Sequence, residues 1–193
     1  MHRPQVQHME AVMRILRYLK GTSNRGVLFG NNGHLDLMAY TDADWAGDKD
    51  SRKSTSGYFT LVGGNLVTWR SKKQNVVALS SAEAEFRGIA KGVTEVLWLR
   101  KLLCELGFPP KGACRLICDN QASVSISNNP VQHDRTKHVE VDRHFIKEKL
   151  ENQIISLPLV RSKDELADIL TKAVTAEAFE EALCKLGIGD PMT

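Results

Sequence analysis

Cysteine pairs are missing from this sequence. Cys104, Cys114, Cys118 and Cys184 form no C-x-x-C motif, and no stretch resembles a secretory signal. A disulfide framework is therefore not expected, and the cysteines read as reduced thiols in a reducing compartment. Cys114 and Cys118 lie in or beside an apparent strand and read as buried structural thiols. Long apolar runs are missing too: none approaches the roughly 20 residues that span a bilayer. The expected setting is intracellular, cytoplasmic or nuclear, neither secreted nor in a membrane. Charge of one sign is also scarce. The net charge of +3 neither demands nor excludes a nucleic-acid partner, so a binding surface must come from local clustering. There is no internal repeat and no low-complexity tract. With 42% hydrophobic and 25% charged residues among 193, the chain suits one globular domain with an accessory piece.

Along the chain, Val6, Met9, Val12, Met13, Leu16 and Leu19 recur at helical spacing, and Gly21-Thr22-Ser23-Asn24 punctuates the end. The stripe reads as ordinary core filling. A short strand at 26–29 follows. This opening is too small for a domain and reads as the tail of something upstream, with Met1 a truncation point.

From Leu35 the pattern turns to sheet. A strand over 35–41 ends in Asp42, and runs at 58–62 and 66–70 flank the hairpin signal Gly63-Gly64-Asn65. A polar connection at 71–74 leads to a long helix starting near Ser80 with N-cap character. Then come a strand at 116–118, a short helix at 120–127, a helix at 139–150, a strand at 154–160, and helices at 164–172 and 175–186. The order predicts an α/β fold with a mixed sheet, an antiparallel meander first and then two crossover-connected parallel strands.

Ligands in open α/β sheets bind at the carboxyl ends of strands. Asp42 and Asp119 close the first and fourth strands, which this topology puts side by side. The long helix adds a third acid. At 100° per residue from Glu85, Ile89 falls at about 40°, Val96 at about 20° and Leu103 at about 0°, whereas Glu83 falls at about 160°. Glu85 thus lies inside the apolar stripe facing the sheet. Glu83 is expected near the solvent edge in a capping or dipole role. Gly88 and Gly92 flank Glu85 and would let the helix approach the sheet closely. Asp168 lies in the helix after the last strand. Clustered carboxylates cannot all remain ionised unless a divalent cation offsets them, and oxygen-only ligands favour Mg²⁺ or Mn²⁺ over zinc.

The runs Tyr40-Thr41-Asp42-Ala43-Asp44-Trp45-Ala46-Gly47, Ser80-Ser81-Ala82-Glu83-Ala84-Glu85-Phe86, Cys118-Asp119-Asn120-Gln121-Ala122 and Ala167-Asp168-Ile169-Leu170-Thr171-Lys172 together resemble the ribonuclease H region of copia-type LTR retrotransposon Pol polyproteins. The resemblance runs from about His2 to about Ala173. It implies a ribonuclease H-like fold, a five-stranded mixed sheet with its first three strands antiparallel, flanked by helices. It divides the chain into 1–34, the tail of a reverse transcriptase connection segment, 35–173, the ribonuclease H domain, and 174–193, a C-terminal helical extension. It also implies hydrolysis of the RNA strand of an RNA–DNA hybrid with two Mg²⁺ ions (Mn²⁺ possible), leaving a 5′ phosphate and a 3′ hydroxyl. Asp42, Glu85, Asp119 and Asp168 would then be the catalytic, metal-binding acids, and a reverse transcriptase domain would precede the chain in its parent polyprotein.

Hybrids are read through 2′-hydroxyls in a wide minor groove. Asn120 and Gln121, directly after Asp119, are the residues expected to touch them; Arg70, Lys72 and Lys73 are expected to grip phosphates. Arg52 and Lys53 are weaker candidates. His133, His138 and His144 match no zinc-ligand spacing and are read as structural. One feature departs from the family pattern: 160–165, the loop before Asp168, has no His where many ribonucleases H carry one. Two other readings stand beside the main one. The fold survives as an inert relic that only binds nucleic acid, or the same acids cut DNA duplex as in integrase-like nucleases.

Overall fold

Two residues set the first hairpin. Gly63 and Gly64 both adopt positive φ, the backbone that a two-residue turn between twisted antiparallel strands requires. At Gly63 a side chain is excluded outright, since a Cβ would lie 2.3 Å from the His34 carbonyl oxygen. The turn joins β3 (Thr55–Val62) to β4 (Asn65–Lys73). The computed structural model describes residues 3–119 and 140–191. Its other elements are α1 (Val6–Gly21), β1 (Gly26–Val27), β2 (Leu37–Ala43), α2 (Ser81–Glu105), β5 (Cys114–Ile117), α3 (Glu140–Glu151), β6 (Ile155–Ser156), α4 (Ala176–Lys185) and β7 (Ile188–Gly189).

The main sheet has five strands in the order β4-β3-β2-β5-β6. β2 pairs antiparallel with β3, and β3 with β4. β5 runs parallel to β2, and β6 parallel to β5. The expected mixed sheet and its helical flanks are therefore present, with β2 and β5 adjacent at its centre.

Alternation along β2 divides the molecule into two layers. Leu37 and Ala39 face α2 and α3, where Phe86, Ile89, Val93, Val96, Leu116 and Ile146 form the larger core. Tyr40 faces the other way, packing on a second core of Phe59, Leu66, Leu166, Ala167, Ala182 and Leu186. The C-terminal helix thus supplies part of a layer. It is also tied to the N-terminal segment: β1 pairs with β7, the Leu28 N–H donates to the Gly187 carbonyl at 2.8 Å, and Arg25 pairs with Glu180 at 2.9 Å.

Four local expectations need correction. The segment 164–172 is not an α-helix but two 3₁₀ turns, Ser162–Asp164 and Leu166–Leu170, because Glu165 breaks the run by capping Ala167 N–H with its own side chain. The strand expected over 154–160 shrinks to β6 plus a single bridge between Cys118 and Leu159. The polar stretch 71–73 continues β4 as an edge strand, where charged side chains are favoured. Finally, α1 buries no residue; its apolar stripe fills no core of the described chain. The helix expected at 120–127 and the residues His133 and His138 lie outside the described residues. His144 is exposed on α3, 3.8 Å from Glu140.

Gly88 and Gly92 do bring α2 close to the sheet. A Cβ on Gly88 would sit 3.4 Å from the Asp42 carbonyl oxygen, and one on Gly92 would sit 2.4 Å from Thr41 Cγ2 and 3.2 Å from Leu116 Cδ1. Thr41 and Leu116 are fully buried, so neither can yield freely. Gly92→Ala is expected to cost about 1–3 kcal/mol through overpacking, lowering the melting temperature by roughly 3–10 °C. Gly112→Ala, where nothing lies within 4 Å, should melt with the wild type. Equal melting temperatures for the two variants would contradict this packing.

Candidate metal-binding active site

The site forms where three elements end or begin. Asp42 is the penultimate residue of β2, Asp119 follows β5, and Glu85 stands in the first turns of α2. One carboxylate oxygen from each lies within 4.8 Å of the others. Asp42 is fully buried and Glu85 is 5% exposed. The placement follows from the layers. Asp42 shares a face with Tyr40, opposite α2, and only at the carboxyl end of the strand does the start of α2 reach round to it. The Ala43 N–H donates to Glu85, fixing the helix against the strand.

The start of α2 is held by its own side chains. Ser80 caps it, accepting from the Glu83 N–H at 3.1 Å. Glu83 accepts from the Leu79 N–H at 2.8 Å and from Arg87 at 2.7 Å. The capping role expected of Glu83 is present, but its solvent exposure is not: Glu83 is buried because the Arg87 guanidinium folds back over it. Geometry nevertheless separates the two acids, since Glu83 has its cation and Glu85 points into the cluster.

Asp168 joins the group through a neighbour. Lys172 Nζ lies 2.7 Å from Asp168 Oδ1 and 3.1 Å from Asp42 Oδ1, one helical turn after Asp168 in sequence. The Thr171 hydroxyl donates to Asp42 Oδ2. Ser162, in the loop that lacks a His, donates to Asp119 Oδ2 at 2.6 Å. Sequence reasoning did not single out Thr171, Lys172, Ser162 or Glu165. The i,i+4 spacing of Asp168 and Lys172 was a usable signal; the contacts of Ser162 and Thr171, 43 and 129 residues from their partners, left none.

Arg70, Lys72 and Lys73 all lie on β4 and are exposed. They part company by strand alternation. Lys73 is ion-paired to Asp48, whereas Arg70 and Lys72 share the face toward α2. Asn120 and Gln121 lie outside the described residues.

Electrostatics mark the site as an unbalanced one. Burial, then the neighbouring Asp42 and Asp119 carboxylates, push the Glu85 carboxyl up to about 9. Its Oε2 is buried without a hydrogen-bond partner. Glu165, buried nearby, is pushed up to about 9 by burial, against the hydrogen bond from Ala167 and with added repulsion from Asp42, Asp119 and Asp168; its Oε2 is likewise unpartnered. Burial raises Asp168 as well, opposed by the Lys172 hydrogen bond. Burial works against the charge on Lys172, but Asp168 and Asp42 outweigh it and raise its pKa. An oxygen-only donor set with a buried, unpartnered carboxylate oxygen fits a hard divalent cation such as Mg²⁺ or Mn²⁺.

A carboxyl with a higher pKa folded than unfolded keeps a proton that the unfolded chain releases. Folding is then favoured most below the unfolded value of 4.5, and this contribution is lost as pH rises toward about 9. In metal-free buffer the melting temperature should therefore fall between about pH 5 and about pH 9. Glu165→Gln should flatten that fall, gaining several degrees at about pH 8 and nothing at about pH 5. Thermal melting across this range is the check; parallel profiles for wild type and variant would contradict the assignment of the burden to Glu165.

No protein-family model matches the chain. Among curated proteins it is 42% identical over 188 residues to the retrovirus-related Pol polyprotein from transposon RE1 of Arabidopsis thaliana, covering 97% of this chain and 13% of that protein. It is 40% identical over 186 residues to the corresponding polyprotein from transposon TNT 1-94 of Nicotiana tabacum, covering 96% and 14%. The chain thus spans only about an eighth of the length of the relatives it matches. Among solved structures, LC11-RNase H1 in complex with RNA/DNA hybrid aligns with a TM-score of 0.51 over 77% of this chain and 99% of that one, at 15% identity; that likeness bears on the fold alone. Sequence and topology together relate this chain to one segment of the copia-type retrotransposon Pol polyproteins, folded as a ribonuclease H-like domain.

Proposed function

We propose that the protein is a metal-dependent endonuclease that hydrolyses the RNA strand of RNA–DNA hybrids. The observation that carries this reading is the convergence of Asp42, Glu85 and Asp119, from three separate elements, to within 4.8 Å, with Asp168 linked to them through Lys172. These four acids would hold two Mg²⁺ ions, or Mn²⁺ in their place. When bound, such ions supply Lewis-acid stabilisation and a nucleophile at neutral pH.

The chain's own residues have distinct tasks. Thr171 and Lys172 hold Asp42 in one orientation, and Ser162 does the same for Asp119. Lys172 also offsets one of the two negative charges of the Asp42–Asp168 pair, easing formation of the site before any cation arrives. Arg70 and Lys72 offer positive charge for backbone phosphates, Lys73 being engaged by Asp48. Asn120 and Gln121 would read the minor groove beside Asp119. Support for the hybrid as substrate comes from the Pol polyprotein relatives and from the ribonuclease H-like fold, whose LC11-RNase H1 representative was solved with an RNA/DNA hybrid. Residues 1–34 are read as the tail of a connection to a reverse transcriptase domain. This reading is supported by an α1 that buries none of its side chains and by the small share of the relatives that the chain spans. Residues 35–173 would carry the chemistry, and 174–193 would form the extension covering the second face.

The test is incubation with labelled RNA–DNA hybrid, DNA duplex and RNA duplex, with and without Mg²⁺. Only the hybrid should be cut, and only with the metal. Asp119→Asn should reduce turnover at least about 100-fold, in keeping with the loss of an electrostatic catalytic group, while melting like the wild type. Glu85→Gln should be similarly impaired and Glu83→Gln should not. Cutting of DNA duplex alone would overturn the substrate assignment. Hybrid binding without any cutting would favour the inert, nucleic-acid-binding form of the same fold.

A further inference from the structure

A second concentration of charge, positive this time, lies beside the carboxylates. The open edge of the sheet and the flank of α2 enclose a hollow of about 230 Å³ whose charged lining is Arg70, Lys72, Lys73, Lys91 and Glu95, with Lys73 already ion-paired to Asp48. The strand pairing explains why its cations converge. Arg70 lies opposite Tyr58 and Lys72 opposite Ser56, and directly paired residues project to the same face of a sheet. Tyr58 and Ser56 face α2: the Tyr58 hydroxyl donates to Glu95 at 2.9 Å, and Lys91 Nζ lies 3.4 Å from Ser56 Oγ. Arg70 and Lys72 are thereby aimed across the edge at Lys91.

The acids nearby offset these cations only in part. Glu95 accepts from the neutral Tyr58 hydroxyl and keeps its negative charge, one against the three of Arg70, Lys72 and Lys91, whereas Glu83 is paired with Arg87. Asp142 of α3 borders the adjoining hollow, which shares Asn75 and Lys91, and its carboxylate offsets part of the charge on Lys91 and Arg87. Lys72 has no polar partner among the described residues, and Lys91, half buried, has only a hydroxyl at the limit of hydrogen-bonding distance. Burial lowers the pKa of Lys91, and the charges of Arg70, Lys72 and Arg87 lower it further, outweighing the opposing Asp142. Such crowding is relieved by an anion seated between the cations. A backbone phosphate fits, being small, charged and able to accept from several donors at once.

We propose that Lys91, Lys72 and Arg70 form a seat for a second backbone phosphate of the nucleic acid whose scissile phosphate lies at the carboxylate cluster. This rests on the nuclease reading and adds to it a site on α2 that the basic run of β4 does not contain. Lys91 follows Glu85 by six residues, about 9 Å along the helix axis. At about 3.4 Å of duplex axis per nucleotide, the seat falls within a few nucleotides of the carboxylates. It would register the duplex, and the sequence around the phosphate would be immaterial to it.

The experiment measures binding of the full chain to a labelled RNA–DNA hybrid by fluorescence anisotropy. Ca²⁺ replaces Mg²⁺, and the salt concentration is varied. Lys91→Met and Lys72→Met are each expected to weaken binding about 5-fold and to lower the log–log salt slope by about 1. Lys101→Met, an equal change of charge near the far end of the same helix, should leave both unchanged. Inorganic phosphate should compete no better than chloride of equal ionic strength. If Lys91→Met and Lys72→Met keep the wild-type slope and affinity, the seat is overturned while the nuclease reading stands. Phosphate-specific competition that Lys91→Met abolishes would overturn the duplex assignment in favour of a free-phosphate site. A wild type that binds no hybrid overturns the seat and the reading beneath it together. Should Lys91→Met melt abnormally, Lys72→Met decides alone, since Lys72 is exposed and packs no core.

Discussion

Glu85 is buried against two other carboxylates, and most of the architecture around it serves to hold that unfavourable arrangement. Taking a carboxylate out of water costs several kcal/mol unless a partner compensates. Like-charged neighbours add to that cost. The helix carrying Glu85 is therefore fixed from several sides. Ser80 and Glu83 cap its start, Arg87 closes over Glu83, and the Ala43 N–H clamps Glu85 itself to the end of β2. Gly88 and Gly92 let the helix lie directly on Asp42 and Thr41. On the far side, Lys172 and Thr171 reach Asp42 from a 3₁₀ turn that packs on the opposite face of the sheet. The two layers of the fold thus meet at one cluster of acids.

This dual attachment explains the separation of tasks around the site. Negative charge collects where β2 and β5 end, whereas positive charge collects on the β4 edge and the middle of α2. Lys73 and Arg87 are neutralised locally by Asp48 and Glu83; Arg70, Lys72 and Lys91 are not held by acids in the same way. A polyanion lying along the sheet edge toward the carboxylates would meet cations first and the acids last. The small net charge of +3 conceals that asymmetry completely.

The sequence carried the strand order and three of the acids well, because their placement follows from local rules. Alternation and the Gly63-Gly64 turn define the meander, and the crossover rule makes β5 and β6 parallel to β2. A 100° periodicity assigns Glu85 to the packed face of α2. The same rule misjudged Glu83, since a helical wheel knows nothing of Arg87 folding back from the next turn. The run 164–172 read as a helix because apolar spacing cannot register a side chain, Glu165, that competes with the backbone for Ala167. The stripe of α1 has the pattern of a core helix, yet nothing within the described chain covers it. Contacts such as Ser162 to Asp119 join residues 43 apart, beyond the reach of periodicity.

The central claim is that these acids form a cation site, and calorimetric titration of the full chain with Mn²⁺ tests it most directly. Saturable binding is predicted for the wild type and its loss is predicted for Asp42→Asn, whose buried carboxylate faces both Glu85 and Asp119. Wild-type heats no larger than dilution, or identical isotherms for the two proteins, would contradict it.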